Sequence, residues 1–260
     1  MKELQKQLKA MNLKRSDKVL IHSALRAINR DADLVLDTLI DYFKDGMLLL
    51  PTHTWAQMNE DYKVFDNKTE PSCVGLLTNM FRLREGVKRS YHPTHSMAGI
   101  GEGVDEFLAK DLNVNTPCHP EGTWGNLGNV GAKILLIGTD MTRNTFVHAI
   151  EEIVDIPDRL AINPILFEIV MTDGSILKKE YYKHYHPRFK GLSNNYKIAE
   201  AALIDLGIIT IHKFGDADVM LMDAMELQKQ ILKWLEINPR LFDSQLPMDK
   251  ELAKIKYWVI

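Results

Sequence analysis

The chain has 260 residues, of which 45% are hydrophobic and 26% charged, so it can bury a full core in one large α/β domain or two modest ones. A net charge of −3 exerts no general pull toward nucleic acid, no apolar run approaches the ~20 residues that span a bilayer, and the start lacks the apolar stretch of a signal peptide. Two cysteines, Cys73 and Cys118, make no disulfide framework and are expected to be reduced, as in a cytoplasmic protein.

Residues 2–12 have the spacing of a short exposed amphipathic helix, and Ser16-Asp17 turn the chain into Val19-Leu20-Ile21, a buried strand ending on His22-Ser23. Leu34, Val35, Leu39 and Phe43 recur at helical spacing across 32–43, and Gly46 ends that helix before a second apolar strand, 47–50. That strand closes on the polar run Pro51-Thr52-His53-Thr54. Residues 56–70 are polar, aromatic and acidic without a period, as in a functional loop. Ser72 is the expected N-cap of a helix carrying Val74, Leu77, Met80 and Phe81. Further on, 104–112 reads as a helix, 113–131 as a long loop, 133–138 as a third apolar strand, and Asn144 or Thr145 as the cap of a helix running to Asp155. In the C-terminal part 166–171 and 175–182 flank Asp173-Gly174 as a β-hairpin, 196–206 reads as a helix, 208–213 as a strand and 221–235 as a long final helix. The alternation predicts a mixed sheet covered by helices, folded as a single domain over 1–260, with polar clusters at strand ends.

The segment Arg89-Ser90-Tyr91-His92-Pro93-Thr94-His95-Ser96 sets two imidazoles around a rigid proline that favours an extended or turn conformation. Taken alone it fits a solvated loop, a ligand wall, or half of a metal site that Cys118-His119 would complete. Three strand ends carry polar groups, at His22-Ser23, Thr52-His53-Thr54 and 139–148, and ligands of open α/β sheets commonly bind there. The third leads into a helix with Glu151 and Glu152 three and four residues after His148, so that either carboxylate can orient the imidazole as a base or simply pair with it on the surface.

In order, these segments resemble the aminoglycoside 3-N-acetyltransferase family, which moves an acetyl group from acetyl-CoA to an amine. The resemblance covers roughly 15–155 through His22-Ser23-Ala24-Leu25-Arg26, Leu50-Pro51-Thr52-His53-Thr54, Glu70-Pro71-Ser72 with Gly75, Arg89 to Ser96, Gly131 to Gly138 and Asn144 to Glu151. It implies a three-layer α/β/α sandwich around a mixed β-sheet, with the β-hairpin in the C-terminal part and no metal in the chemistry. It implies His148 as general base, Glu151 as the group that orients it or holds a cationic substrate, and Glu152 as a second substrate-side carboxylate. Ser23, Leu25, Arg26, Thr52, His92, His95 and Ser96 are the implied acetyl-CoA contacts, and 156–260 supplies acceptor-side and C-terminal elements. The implied partners are acetyl-CoA as cosubstrate and a small-molecule amine, with no nucleic acid and no membrane; the sequence leaves a homodimer open.

The chemistry fits, because an amine is mostly protonated at neutral pH and must lose a proton before attacking a thioester. An imidazole titrating near neutrality can take it, and the tetrahedral oxyanion then needs a donor such as a backbone N–H or the Thr52 hydroxyl. The chain also departs from the family: Gly122-Thr123-Trp124-Gly125 replaces a Ser-Pro-Leu-Gly stretch, Thr142 stands near a customary aspartate, and 56–67 and 178–190 match poorly. The acceptor is therefore an amino sugar, a nucleotide-linked amino sugar, an aminoglycoside or another small amine. Two other readings are a metal-dependent hydrolase using His92, His95, Cys118, His119 and His148, and a non-catalytic CoA- or nucleotide-binding module. The basic, aromatic run 178–188 fits a solvated edge strand or a phosphate- and base-contacting one. His184-x-His186 has no third metal ligand nearby in sequence.

Overall fold

The computed structural model describes residues 1–188 and 191–257, so that the last two residues of the poorly matching stretch 178–190 lie outside the described residues. Its strands are β1 (Lys18–Ser23), β2 (Met47–Pro51), β3 (Val64–Asp66), β4 (Lys88–Arg89), β5 (Met97–Gly101), β6 (Lys133–Ile137), β7 (Ile165–Val170), β8 (Ile176–Tyr181), β9 (Ile209–Phe214) and β10 (Ala217–Asp223). The helices are α1 (Lys2–Ala10), α2 (Leu25–Ile28), α3 (Ala32–Tyr42), α4 (Leu76–Phe81), α5 (Val104–Ala109), α6 (Phe146–Ile153), α7 (Glu200–Asp205), α8 (Ala224–Ile237) and α9 (Lys250–Lys254).

A seven-stranded sheet runs β4-β5-β2-β1-β6-β10-β9. Its centre, β2-β1-β6, is parallel and buried on both faces, which is why these strands read as unbroken apolar runs. Antiparallel strands extend it on each side, β5 beside β2 and β10 beside β6. On one face Leu4, Leu8, Val35, Leu39 and Phe81 of α1, α3 and α4 pack on Val19, Ile21, Leu48 and Leu50. Against the other, Phe107, Val147, Ile150, Leu227, Ile231 and Trp234 of α5, α6 and α8 meet Leu20, Leu49, Ile134 and Leu136. The expected mixed α/β sandwich is thus present. Among the described residues no helix is long and apolar enough to cross a membrane.

Several elements differ from expectation. The hairpin β7-β8 forms as read, but it joins β3 in a separate three-stranded sheet with its own small core of Met58, Phe65, Phe167, Ile169 and Tyr181. The final helix begins three residues later than its periodicity indicates: Leu221-Met222-Asp223 end β10, and Asp223 caps α8 by accepting from the N–H groups of Met225 and Glu226. Ser72 does not cap a helix; α4 starts at Leu76, after Gly75 at φ +121°. Residues 192–199 are 3₁₀ rather than α, with α7 only from Glu200.

Candidate active site

The antiparallel register of β2 and β5 continues past both strands, with Thr52 N–H donating to Ser96 O at 2.9 Å and Thr54 N–H to Thr94 O at 2.9 Å. Side chains on an extended chain alternate between faces, so this extension sorts its own polar residues. Thr52 and Ser96 turn one way, with hydroxyl oxygens 3.0 Å apart. Arg89 Nε donates to both at 3.2 and 3.0 Å, and its Nη2 to Thr52 O at 2.8 Å. All three are buried, and burial pulls the Arg89 pKa down to about 9. His53 and His95 turn the other way and meet at 4.7 Å between ring centroids. His92 Nδ1 accepts from the N–H groups of Thr94 and His95 at 3.2 and 3.0 Å, which holds its ring edge-on to Tyr181.

α6 brings His148 to the same place. Its packing face, Phe146, Val147 and Ile150, is fully buried, and Thr145 just before it contacts His53 Nε2 through Oγ1 at 3.1 Å. His148 Nδ1 and Glu151 Oε2 are 3.7 Å apart, too far for a hydrogen bond. The hydroxyl of Tyr196 lies between them, 2.5 Å from His148 Nδ1 and 2.6 Å from Glu151 Oε2. A carboxylate only accepts and a phenol has one proton, so Tyr196 donates to Glu151 and its oxygen accepts from His148 Nδ1–H. That tautomer leaves Nε2 with its lone pair free to take a proton. Arg159 completes the chain, donating through Nε to Glu151 Oε1 at 2.6 Å and through Nη2 to Asp243 Oδ1 at 2.7 Å.

The electrostatics differ from the near-neutral titration expected. Burial, reinforced by the neighbouring His184 and only partly opposed by Glu151 and Glu152, pushes the His148 pKa down to about 4. Burial likewise lowers His22 and His92 to about 3, and holds His53 and His95 well below the usual imidazole range. Burial alone would raise the Glu151 carboxyl, but the neighbouring His148, the Arg159 charge and the Tyr196 hydrogen bond outweigh it and keep it low. At neutral pH these five imidazoles are therefore uncharged, beside the ionised, internally paired Glu151.

His184, just past β8, closes the site. It stacks on His148 at 4.1 Å and 27°, meets His95 edge-on at 4.7 Å, and lies 3.2 Å from Glu152 Oε1 through Nε2. Glu152 also accepts from Cys118 N–H at 2.8 Å and from the Thr116 hydroxyl. Cys118, Glu152 and His184 bring their ligand atoms within 4.8 Å of one another, Glu152 meeting the His184 ring and the Cys118 backbone N–H. The set His92, His95, Cys118, His119 and His148 forms no such group among the described residues; His119 stays in its loop, accepting from Glu121 N–H at 3.1 Å.

The structure therefore gathers His92, His95 and His148 but gives their companions other duties. Thr52 and Ser96 lie beneath the imidazoles with their hydroxyls held by Arg89, and each oxygen of Glu151 and Glu152 has a partner inside the fold. Ser23 and Leu25 are half-buried and Arg26 exposed where β1 passes into α2; Ala27 of the same helix lines a cleft of about 740 Å³ with Gly138, Thr139, Asp140 and Arg143. Tyr196 and Arg159 escaped the sequence reading as site residues because they come from far along the chain, and His184 was weighed there only as half of a metal pair with His186. His53 and His22 carried a signal, since each stands beside a residue that was singled out, one step along an alternating strand.

An imidazole backed through a phenol by a paired carboxylate, beside the strand ends of a mixed α/β sheet, has the composition of a group-transfer enzyme's site. The chain belongs to the aminoglycoside 3-N-acetyltransferase family, whose model matches residues 20–236, and it is an N-acetyltransferase. It is 27% identical over 208 residues to the SPbeta prophage-derived aminoglycoside N(3')-acetyltransferase-like protein YokD of Bacillus subtilis, covering 67% of this chain and 71% of that one. To aminoglycoside N(3)-acetyltransferase VII of Streptomyces paromomycinus it is 24% identical over 189 residues, 64% of this chain and 65% of the relative. Among solved structures, AAC-IIIb in binary complex with CoASH superposes with a TM-score of 0.79 at 20% identity, covering 91% of this chain and 96% of that one. A mutant of AAC(3)-IVa in complex with a gentamicin gives 0.76 at 21% identity, covering 93% and 90%.

Proposed function

We propose that the protein transfers an acetyl group from acetyl-CoA to a primary amine of a small amino sugar, free or nucleotide-linked, or of an aminoglycoside, by direct attack with His148 as general base. The observation that carries this reading is the Tyr196 hydroxyl placed between His148 Nδ1 and Glu151 Oε2, an arrangement that supports a proton on Nδ1 and a lone pair on Nε2. Nε2 takes a proton from the ammonium, the freed amine attacks the thioester carbonyl carbon, and the C–S bond breaks with its electron pair leaving on the CoA sulfur; the nitrogen sheds its second proton to that sulfur, giving amide and CoA thiol, and the imidazolium returns its proton to solvent. A low His148 pKa does not defeat the step. Burial penalises an entering ammonium as well, and proton transfer moves one charge without creating another.

The oxyanion donor in this reading is a backbone N–H, because the Thr52 hydroxyl is fully buried in the Arg89 network. With Glu151 and Glu152 engaged internally, the site favours an acceptor with few ammonium groups over a polycation. The related CoASH and gentamicin complexes support a CoA donor and an amine acceptor for this fold. Chemistry of this kind needs no metal, so chelator-treated protein should keep its activity.

His148→Ala tests the reading in a thiol-release assay with acetyl-CoA across amino sugars, nucleotide-linked amino sugars and aminoglycosides. Turnover should fall by roughly 10²–10⁴-fold with CoA binding and folding retained. An undiminished rate removes His148 from the mechanism, and CoA binding without turnover on any amine would favour a binding module instead.

A further inference from the structure

His184 lies outside every motif that carries the family resemblance, yet among the described residues no aromatic ring comes closer to the His148 ring. We propose that His184 is a positioning residue for the base, a clamp that stacks on His148 and, tethered by Glu152, fixes the plane in which Nε2 is presented. This rests on His148 being the base. The single bond from Nδ1–H to Tyr196 leaves the imidazole free to rock about that hydrogen bond, and a second constraint on the ring face removes the freedom. His184 supplies it at 4.1 Å and 27°.

The clamp is itself held from three sides. Its Nε2 contacts Glu152 Oε1 at 3.2 Å, and because a carboxylate only accepts, Nε2 carries the proton of that bond. Glu152 cannot swing away, since Cys118 N–H and the Thr116 hydroxyl donate to it. The edge of the His95 ring closes the far side at 4.7 Å. The backbone is fixed as well: His184 bridges Leu160, Tyr185 N–H donates to Arg159 O at 2.9 Å, and Ala161 N–H to Lys183 O at 2.9 Å. The segment carrying His184 thus joins the loop whose Arg159 side chain holds Glu151, so one peptide segment registers both carboxylates against the two stacked rings. An incidental surface histidine would need none of this support.

The test compares His184→Ala, which removes the stack, with His184→Phe, which keeps a ring and loses the Glu152 bond. In imidazole-labelled protein near pH 7.5, the His148 ring should give a single Nδ1–H tautomer with a slowly exchanging proton. His184→Ala should average or lose that signal, and His184→Phe should restore it. In turnover, His184→Ala should lower kcat by about 10- to 100-fold with little change in KM for acetyl-CoA, as expected when a reacting group is misplaced rather than removed, and His184→Phe should recover a large part of that loss. An unchanged His148 signal together with an unchanged kcat in His184→Ala overturns the clamp. If His184→Ala does not fold, His184→Gln, which keeps a side chain able to reach Glu152 and lacks the stacked ring, makes the same comparison with Phe. Because the ring signal is read without turnover, an altered signal in a protein whose His148→Ala variant stays active overturns the base assignment alone.

Discussion

Spacing on a helix puts Glu151 one turn from His148, and proximity of that kind is usually taken to mean a direct bond. Here the two atoms stop 3.7 Å apart and Tyr196, 45 residues beyond Glu151, carries the contact. The phenol does more than bridge, because its single proton decides which imidazole nitrogen keeps a lone pair. Burial raises its pKa well above the usual phenol range, so it stays protonated and keeps donating to Glu151. Tyr196→Phe retains the ring in its fully buried position and deletes only that oxygen. It leaves a buried carboxylate oxygen and the Nδ1–H unpaired, at a cost of about 1–3 kcal/mol. The expected outcome is a kcat lower by about 10- to 100-fold, with KM for acetyl-CoA nearly unchanged and a lowered Tm. A kcat within twofold of the parent would show that the tautomer is set by something else.

The extension of β2 and β5 explains much of what was legible and what was not. The run after β2 stood out in the sequence as a polar cluster closing an apolar strand, and the run before β5 as a His-Pro segment expected to be extended or turned. Their alternation sorts Thr52 from His53 and Ser96 from His95, and the hydroxyls go to the frame while the imidazoles go to the site. Period-2 reasoning applied to these runs would have separated them; nothing local would have supplied Arg89 as the partner, because that contact depends on β4 folding back on β5. β10 was hidden for a different reason. Met220, Leu221 and Met222 suit a helix as well as a strand, no Gly or Pro separates them from α8, and only the capping Asp223 marks the boundary. Arg89 also donates through Nη1 to Glu70 O at 2.6 Å and Asn67 O at 3.3 Å, tying the loop 56–70 to the same frame. Arg89→Met therefore leaves several buried acceptors without donors and should cost about 3 kcal/mol or more in urea unfolding. A loss under about 1 kcal/mol would mean that the frame stands without it.

Burying so many imidazoles has a consequence for the stability of the entire fold. His22, His53, His92, His95 and His148 all have pKa values driven down chiefly by desolvation, to about 3 or 4 where a value is given. The unfolded chain binds these protons near the ordinary histidine pKa of about 6.5 and the folded chain does not, so acid favours unfolding. Their contribution is intact above that pH and is lost progressively below it, ahead of the carboxylates Glu151 and Asp243, whose own depressed pKa values act only at lower pH. At pH 5 His22, His92 and His148 each cost about 2 kcal/mol, and His53 and His95 shift the balance the same way, against the ~5–15 kcal/mol that holds a typical domain folded. Acid unfolding should therefore centre near pH 5 rather than in the carboxylate range. Urea midpoints at pH 7.5, 6 and 5 measure this directly, and His22→Gln, which removes one titrating group, should make the decline shallower by close to one proton. A midpoint that does not move between pH 7.5 and 5 would mean that the imidazoles take up protons without leaving their places, and that the site is far wetter than its packing indicates.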